Sequence, residues 1–266
     1  KFWVIKPNIG YIRLTQFIQT SAEDLEKALI ALEKEKVSSI ILDLRNNPGG
    51  LLTAAVEVGR KFIPKGDIVS IKSRDGEKST YSSFFQSHPL LPLVVLINEG
   101  SASASEIVAG AIKDNKRGLL LGRKSFGKGS VQMVISLNDG SAMALTTALY
   151  YTPSGVNIHK KGIEPDIDVE LPKISDTERE EIAKAIEAEE KQQKLSAQAT
   201  PTAELASGTL PASSTEAIAT PSGFIEPPDS LSKGSIQYYV INRYDTQLQR
   251  AVDVLKSTEI FSGLKQ

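Results

Sequence analysis

The sequence predicts an α/β fold: a mainly parallel sheet built from βαβ units, with antiparallel hairpins added to it. Three observations predict it. Short β-rich apolar runs, Ser39–Leu44, Leu93–Ile97 and Leu119–Gly122, show no polar alternation, the mark of strands buried on both faces. Segments with apolar residues at helical spacing separate them. Two further pairs of β-rich runs flank Arg74-Asp75-Gly76 and Asn138-Asp139-Gly140, both of which are hairpin-turn signals. Strands alternating with helices imply right-handed crossovers and hence parallel pairing.

Taken in order, Ile9–Phe17 is strand-like. Ser21 follows as an N-cap with Asp24 three residues on, and Leu25, Ala28, Leu29 and Leu32 place a helix over 22–36. Ser39–Leu44 ends in the breaker cluster Arg45-Asn46-Asn47-Pro48-Gly49-Gly50, after which a helix runs to about Phe62. Ile68–Ser83 reads as a hairpin. Leu93–Ile97 is a strand, Glu106–Asp114 a helix and Leu119–Gly122 another strand. Val131–Leu137 and Ser141–Tyr150 form the second hairpin.

Residues 1–172 therefore form one compact unit. Past Pro172 the composition changes. Residues 173–195 read as a charged, solvated helix, and 196–235, rich in Ala, Ser, Thr and Pro, as a disordered linker. In the last segment, 236–266, Leu248, Ala251, Val252 and Leu255 predict a short amphipathic helix that docks on the domain or on a partner.

Bulk properties bound the function. Hydrophobic residues make up 40% and charged residues 24%, ordinary values for a globular protein. The formal net charge of −1 gives no electrostatic reason to expect nucleic acid or an anionic membrane as a partner. Without cysteine there is neither a disulfide nor a thiolate metal site. No carboxylate and histidine cluster has metal-ligand spacing, and nothing calls for a cofactor. The chain begins at Lys1 and goes straight into an apolar run, which reads as a fragment.

In a parallel sheet, ligands sit beyond the carboxyl ends of the strands. Three loops leave such ends here: Asn46–Gly50, Asn98–Ala102 and Arg123–Gly127. A helix from Ser103 to Asp114 spans about 17 Å at 1.5 Å per residue. The return strand Leu119–Arg123 covers about 16 Å at 3.3 Å per residue, which brings Lys128 back near Ser103. Ser101, Ser103 and Ser105 alternate at the helix start, so spacing alone does not choose among them, and a helix-start serine is most often a plain N-cap. A nucleophile there would lie beside backbone N–H donors for an oxyanion, with Ala104 the natural first donor and the glycines of Asn47-Pro48-Gly49-Gly50 the second.

Lys128, with glycine on each side, is the candidate base. A lysine serves only when neutral, and bringing one from about 10.4 to about 7–8 takes roughly 3–4.5 kcal/mol of differential solvation, which asks for a water-poor pocket. Gln132, four residues on, shares its face if the strand begins at Lys128, and it would orient the amine without adding an anion.

Rival readings are weaker. Gly122–Gly129 nearly matches a phosphate-binding P-loop, but Gly129 replaces the hydroxyl residue after the lysine and a strand follows where a helix is required. His88 and His159, the two histidines, are the alternatives for a triad base, but both fall in loops and read more readily as ordinary loop or surface residues.

These residues resemble a known family. Leu42-Asp43-Leu44-Arg45-Asn46-Asn47-Pro48-Gly49-Gly50, Asn98-Glu99-Gly100-Ser101-Ala102-Ser103-Ala104-Ser105-Glu106, Phe126-Gly127-Lys128-Gly129 with Gln132, and Lys161-Gly162-Ile163-Glu164-Pro165-Asp166 are similar to the motifs of the carboxyl-terminal processing (tail-specific) serine proteases. The resemblance implies Ser103 as nucleophile, Lys128 as base, Gln132 as its orienting partner, and Gly49 and Ala104 as oxyanion donors. It implies a core related to the ClpP and crotonase folds. It implies protein or peptide substrates with exposed carboxyl termini, a homo-oligomer or adaptor as further partner, and residence in the periplasm, the cell envelope or a thylakoid lumen. The family usually carries an upstream PDZ domain that captures termini, and only Lys1–Pro7 precede the first strand here. The alternative is a non-catalytic peptide-binding or scaffold relative that uses the same cleft.

Overall fold

The structure is a computed structural model, and it describes residues 1–5, 8–85, 88–172, 175–178, 180–181, 183–184, 188 and 245–263. Two sheets organise the chain. The first has six strands in the order β1 (Phe2–Ile5), β2 (Ile9–Arg13), β3 (Ser39–Asp43), β6 (Leu93–Ile97), β7 (Leu119–Gly122) and β10 (Ile167–Asp168). All its pairs are parallel except β1–β2. The second is antiparallel, with β5 (Lys78–Ser83), β4 (Gly66–Ser73), β9 (Ala142–Tyr151) and β8 (Ser130–Ser136) in that order.

The uninterrupted apolar runs are the central strands. Every residue of β3 and β6 is buried, because helices cover the sheet. Helix α1 (Ser21–Lys34) buries Leu25, Ala28, Leu29 and Leu32, the stripe read from the sequence. It starts one residue earlier than expected, with Thr20 at the N-cap position. Ser21 instead ties the preceding turn, accepting from Ile18 N–H at 2.9 Å and donating to the Gln16 carbonyl at 3.1 Å. Helices α2 (Leu52–Phe62) and α3 (Ala104–Asp114) pack on each other, and α3 also packs on β7 and β4.

Both hairpins form at the expected turns, with Gly76 and Gly140 at positive φ. Strand β1 is an antiparallel edge that the sequence reading left unassigned.

The C-terminal helix α4 (Thr246–Gly263) packs on β6 and β7 of the first sheet. Leu248, Ala251 and Leu255 are buried there, and the helix belongs to the same compact unit as Lys1–Leu171. Burying three such side chains contributes on the order of 4 kcal/mol or more, enough to hold a helix that would be marginal alone. The charged stretch after Pro172 is helical at residues 176–178, 180–181 and 183–184. The linker expected over 196–235 lies outside the described residues. Among the described residues, no helix is long and apolar enough to cross a membrane.

Candidate active site

Three loops at the carboxyl ends of β3, β6 and β7 meet at the start of α3. The β3 loop contacts the β6 loop along its length: Ala102 N–H donates to the Asn47 carbonyl at 3.0 Å, and Asn46 and Asn98 exchange two hydrogen bonds of 2.8 and 2.9 Å. The β7 loop joins through Phe126 N–H, which donates to the Ser101 carbonyl at 3.0 Å.

The three alternating serines have different surroundings. Ser101 is fully buried, donates to the Leu44 carbonyl at 2.8 Å and accepts from Asn98 N–H at 3.0 Å. Ser105 is also fully buried and donates to the Asn47 carbonyl at 2.9 Å. Both hydroxyls fasten the helix start to the β3 loop. Ser103, between them, is part-exposed and sits at φ 55°, ψ −112°, a conformation that costs an L-residue about 1–3 kcal/mol.

Glu106 holds that conformation. Its carboxylate is fully buried and takes four donors. Oε2 accepts from Ser103 N–H and Lys128 N–H, both at 2.8 Å. Oε1 accepts from Ser125 Oγ–H and Gly127 N–H, both at 2.6 Å. Ser125 Oγ in turn accepts from Ile163 N–H at 2.7 Å, which brings the Lys161–Asp166 segment into the support. One buried anion thus joins the serine, the lysine loop and the closing segment. The sequence reading missed this role, although Ser103-x-x-Glu106 has the capping-box spacing that signals it.

Lys128 lies in the loop before β8, and its side chain is exposed. The strand begins at Ser130, and the β8–β9 register shifts between Val131 and Gln132. The two-residue period therefore does not relate Lys128 to Gln132, contrary to the sequence argument. Gln132 is also exposed. The structure brings the backbones of Ser103 and Lys128 together, while the side chains of Ser103, Lys128 and Gln132 share no hydrogen bond among the described residues.

The two backbone donors differ. Ala104 opens α3, where N–H groups have no helical acceptor. Gly49, at φ 99°, lies flush against it: a Cβ there would stand 2.6 Å from the Ala102 carbonyl oxygen and 2.9 Å from Ala104 N. Only glycine allows that approach. Gly49 N–H donates to Asn47 Oδ1 at 2.9 Å, and Asn47 Nδ2 donates to the Leu14 carbonyl at 2.8 Å.

Beneath the β3 loop lies a buried charged pair. Asp43 Oδ2 accepts from Arg45 Nη2 at 2.7 Å and from the Tyr11 hydroxyl at 2.5 Å, and Asp43 Oδ1 accepts from Arg45 Nε at 3.0 Å. Burial, with the neighbouring Asp43 charge, raises the Tyr11 phenol well above its ordinary range.

The histidines divide. His88 is held against α1, with Nδ1 at 2.6 Å from Glu33 and Nε2 at 2.9 Å from Glu26. His159 packs its backbone on the lysine loop, since a Cβ on Gly129 would meet His159 N at 2.3 Å. Among the described residues, no group of three His, Cys, Asp or Glu is arranged to hold a metal ion.

Comparison with known proteins places the chain in a family. The family described as Peptidase family S41 matches residues 8–169. A chloroplastic C-terminal processing peptidase of Tetradesmus obliquus is 43% identical over 182 residues, covering 68% of this chain and 39% of the relative. A carboxyl-terminal-processing protease of Synechocystis is 46% identical over 168 residues, covering 63% of this chain and 39% of the relative. Among solved structures, a photosystem II D1 C-terminal processing protease superposes with TM-score 0.58 at 42% identity, over 63% of this chain and 45% of that one. The matched part thus spans under half of each of these relatives. The fold, the ordered motifs and the family match agree, and the chain belongs to peptidase family S41.

Proposed function

We propose that this chain is the catalytic core of a serine endopeptidase that cuts proteins near their carboxyl termini. Ser103 Oγ attacks the scissile carbonyl while the neutral amine of Lys128 takes its proton. The tetrahedral oxyanion is held by the N–H groups of Ala104 and Gly49, the latter exchanging its bond to Asn47 Oδ1 for the substrate oxygen. Collapse expels the amine product, which receives the proton from Lys128, and water then hydrolyses the acyl-enzyme by the same route. Gln132 orients the lysine once the side chains converge.

The observation that carries this reading is the shared carboxylate oxygen of Glu106. It sets the serine and lysine backbones side by side, as a two-residue proton transfer needs. Because Lys128 is exposed, the water-poor environment that favours a neutral amine is completed when the substrate covers it. Partners are protein or peptide substrates with accessible carboxyl termini, and the remainder of the whole protein, with an upstream PDZ domain, supplies their capture. The names of the relatives, one of them chloroplastic, support an extracytoplasmic location: the cell envelope or the thylakoid lumen.

Mass spectrometry of an unfolded model protein tests the function. The wild-type chain yields fragments cut near the carboxyl terminus, and Ser103→Ala yields none. Intact substrate with both proteins, together with retained binding, would favour the peptide-binding alternative.

A further inference from the structure

The C-terminal helix lies outside the matched family segment, yet its first turn reaches under the β3 loop. Gln247 is buried to 1% exposure, unusual for an amide on a surface helix. Both ends of its side chain are engaged. Oε1 accepts from Arg45 Nη1 at 3.2 Å, and Nε2 donates to the Val169 carbonyl at 2.7 Å. Thr246 Oγ1 adds a bond to the Glu170 carbonyl at 3.1 Å, and the buried Leu248, Ala251 and Leu255 hold the helix below it.

What Gln247 touches gives it a role. Arg45 is the first residue of the loop that carries Asn47 and Gly49. Asp43 holds its guanidinium through Nε and Nη2, and Gln247 accepts from Nη1. Asp43 and Arg45, from β3 and its loop, thus meet at the root of the loop with Gln247, from more than 200 residues away. A helix that served only to cover apolar surface would gain nothing from a buried amide, since an apolar residue avoids the desolvation of a polar group.

We propose that Gln247 is a positioning residue for the peptidase reaction: through Arg45 it sets the loop that places Gly49 beside Ser103. This rests on the peptidase reading given above. Since the loop acts on the oxyanion rather than on the ground-state peptide, loosening it lowers kcat and leaves KM nearly unchanged.

Two variants of the full chain separate this role from simple docking of the helix. Gln247→Leu keeps the volume but removes the amide oxygen that accepts from Arg45 Nη1. Gln247→Glu keeps that acceptor but sets a carboxylate against the Val169 carbonyl, so both variants melt below the wild type. With a fluorogenic, unstructured peptide as substrate, Gln247→Leu is expected to lose about ten-fold in kcat with KM within about two-fold, as for one lost hydrogen bond to a charged group. Gln247→Glu is expected to stay within about three-fold of wild-type kcat despite its lowered melting temperature. If kcat instead tracks melting temperature across both variants, or if neither variant loses kcat, the positioning role is overturned while the peptidase reading stands. A wild-type chain without Ser103-dependent turnover overturns both.

Discussion

Ser103 and Lys128 are joined through one atom: Glu106 Oε2 accepts the backbone N–H of each at 2.8 Å. The two residues are 25 positions apart in sequence and lie on different loops. Their amide nitrogens are nevertheless held to a common acceptor that is sealed from water. A buried carboxylate with four donors acts as an acceptor only, and this dictates what its replacement does.

Glu106→Gln is expected to be severe although nearly isosteric. Its amide NH2 must face donors, leaving two of them without an acceptor in a buried site. We expect a loss of about 2–4 kcal/mol in denaturant unfolding, and peptide cleavage reduced by more than about ten-fold in the protein that remains folded. Unchanged stability with full turnover would refute the bridging role.

The three serines should separate cleanly. Ser103→Ala is expected to abolish cleavage and, by removing the hydroxyl half of the capping box at the start of α3, to lower stability by about 1 kcal/mol. Ser101→Ala and Ser105→Ala each remove a buried donor to a loop carbonyl, so they should lower stability by about 1–3 kcal/mol yet retain turnover when folded. Paired melting curves and peptide assays read both quantities.

Lys128→Ala is expected to eliminate turnover with stability changed by less than about 0.5 kcal/mol, because the side chain is exposed. His159→Ala and His88→Ala should keep turnover within about three-fold when folded, although His159 packs on the lysine loop. An inactive but folded His159 variant would transfer the role of base from Lys128 to that histidine.

Glu26 predicts a pH dependence of stability. A hydrogen bond from Lys61, then one from His88, holds its carboxyl below the ordinary value of 4.5. A carboxyl depressed in the folded state adds stability above its unfolded value and loses it as pH falls through the folded one. Being partly exposed, it contributes less than about 1 kcal/mol. Denaturant titrations should therefore show Glu26→Gln weaker than wild type at pH 7, with the gap closing as pH falls below the ordinary carboxyl value of 4.5. A gap that widened in acid would contradict the assignment.

Much of this architecture was legible because its signals are local. The β-rich runs at Ser39–Leu44 and Leu93–Ile97 could only be doubly buried strands, and Asn138-Asp139-Gly140 could only be a turn. The down-and-back length of α3 and β7 predicts Lys128 beside Ser103 from residue spacing alone. What local pattern could not supply is register and long-range partnership. The irregularity at Val131 and Gln132 undoes the alternation argument, since one extra residue reverses the faces. Burial of Ser101 and Ser105 depends on Leu44 and Asn47, over 50 positions away. Gln247 is not distinguished in sequence from other polar residues beside the apolar stripe of the docking helix, because Arg45 and Val169 meet it only in three dimensions.

The Asn47–Gly49 contact has a consequence for proteins that merely pass by. On the proposed assignment, the resting centre already satisfies one of its two anion-binding groups internally. Any chain entering the cleft must displace a neutral hydrogen bond worth about 0.5–1.5 kcal/mol before the centre is fully armed, a two- to twelve-fold brake on idle hydrolysis. A substrate whose terminus is gripped elsewhere offsets that toll with remote contacts, whereas a bystander touching the cleft alone does not. Selectivity in a compartment crowded with folded neighbours would then begin with a side chain two residues from the glycine, before any recognition of sequence.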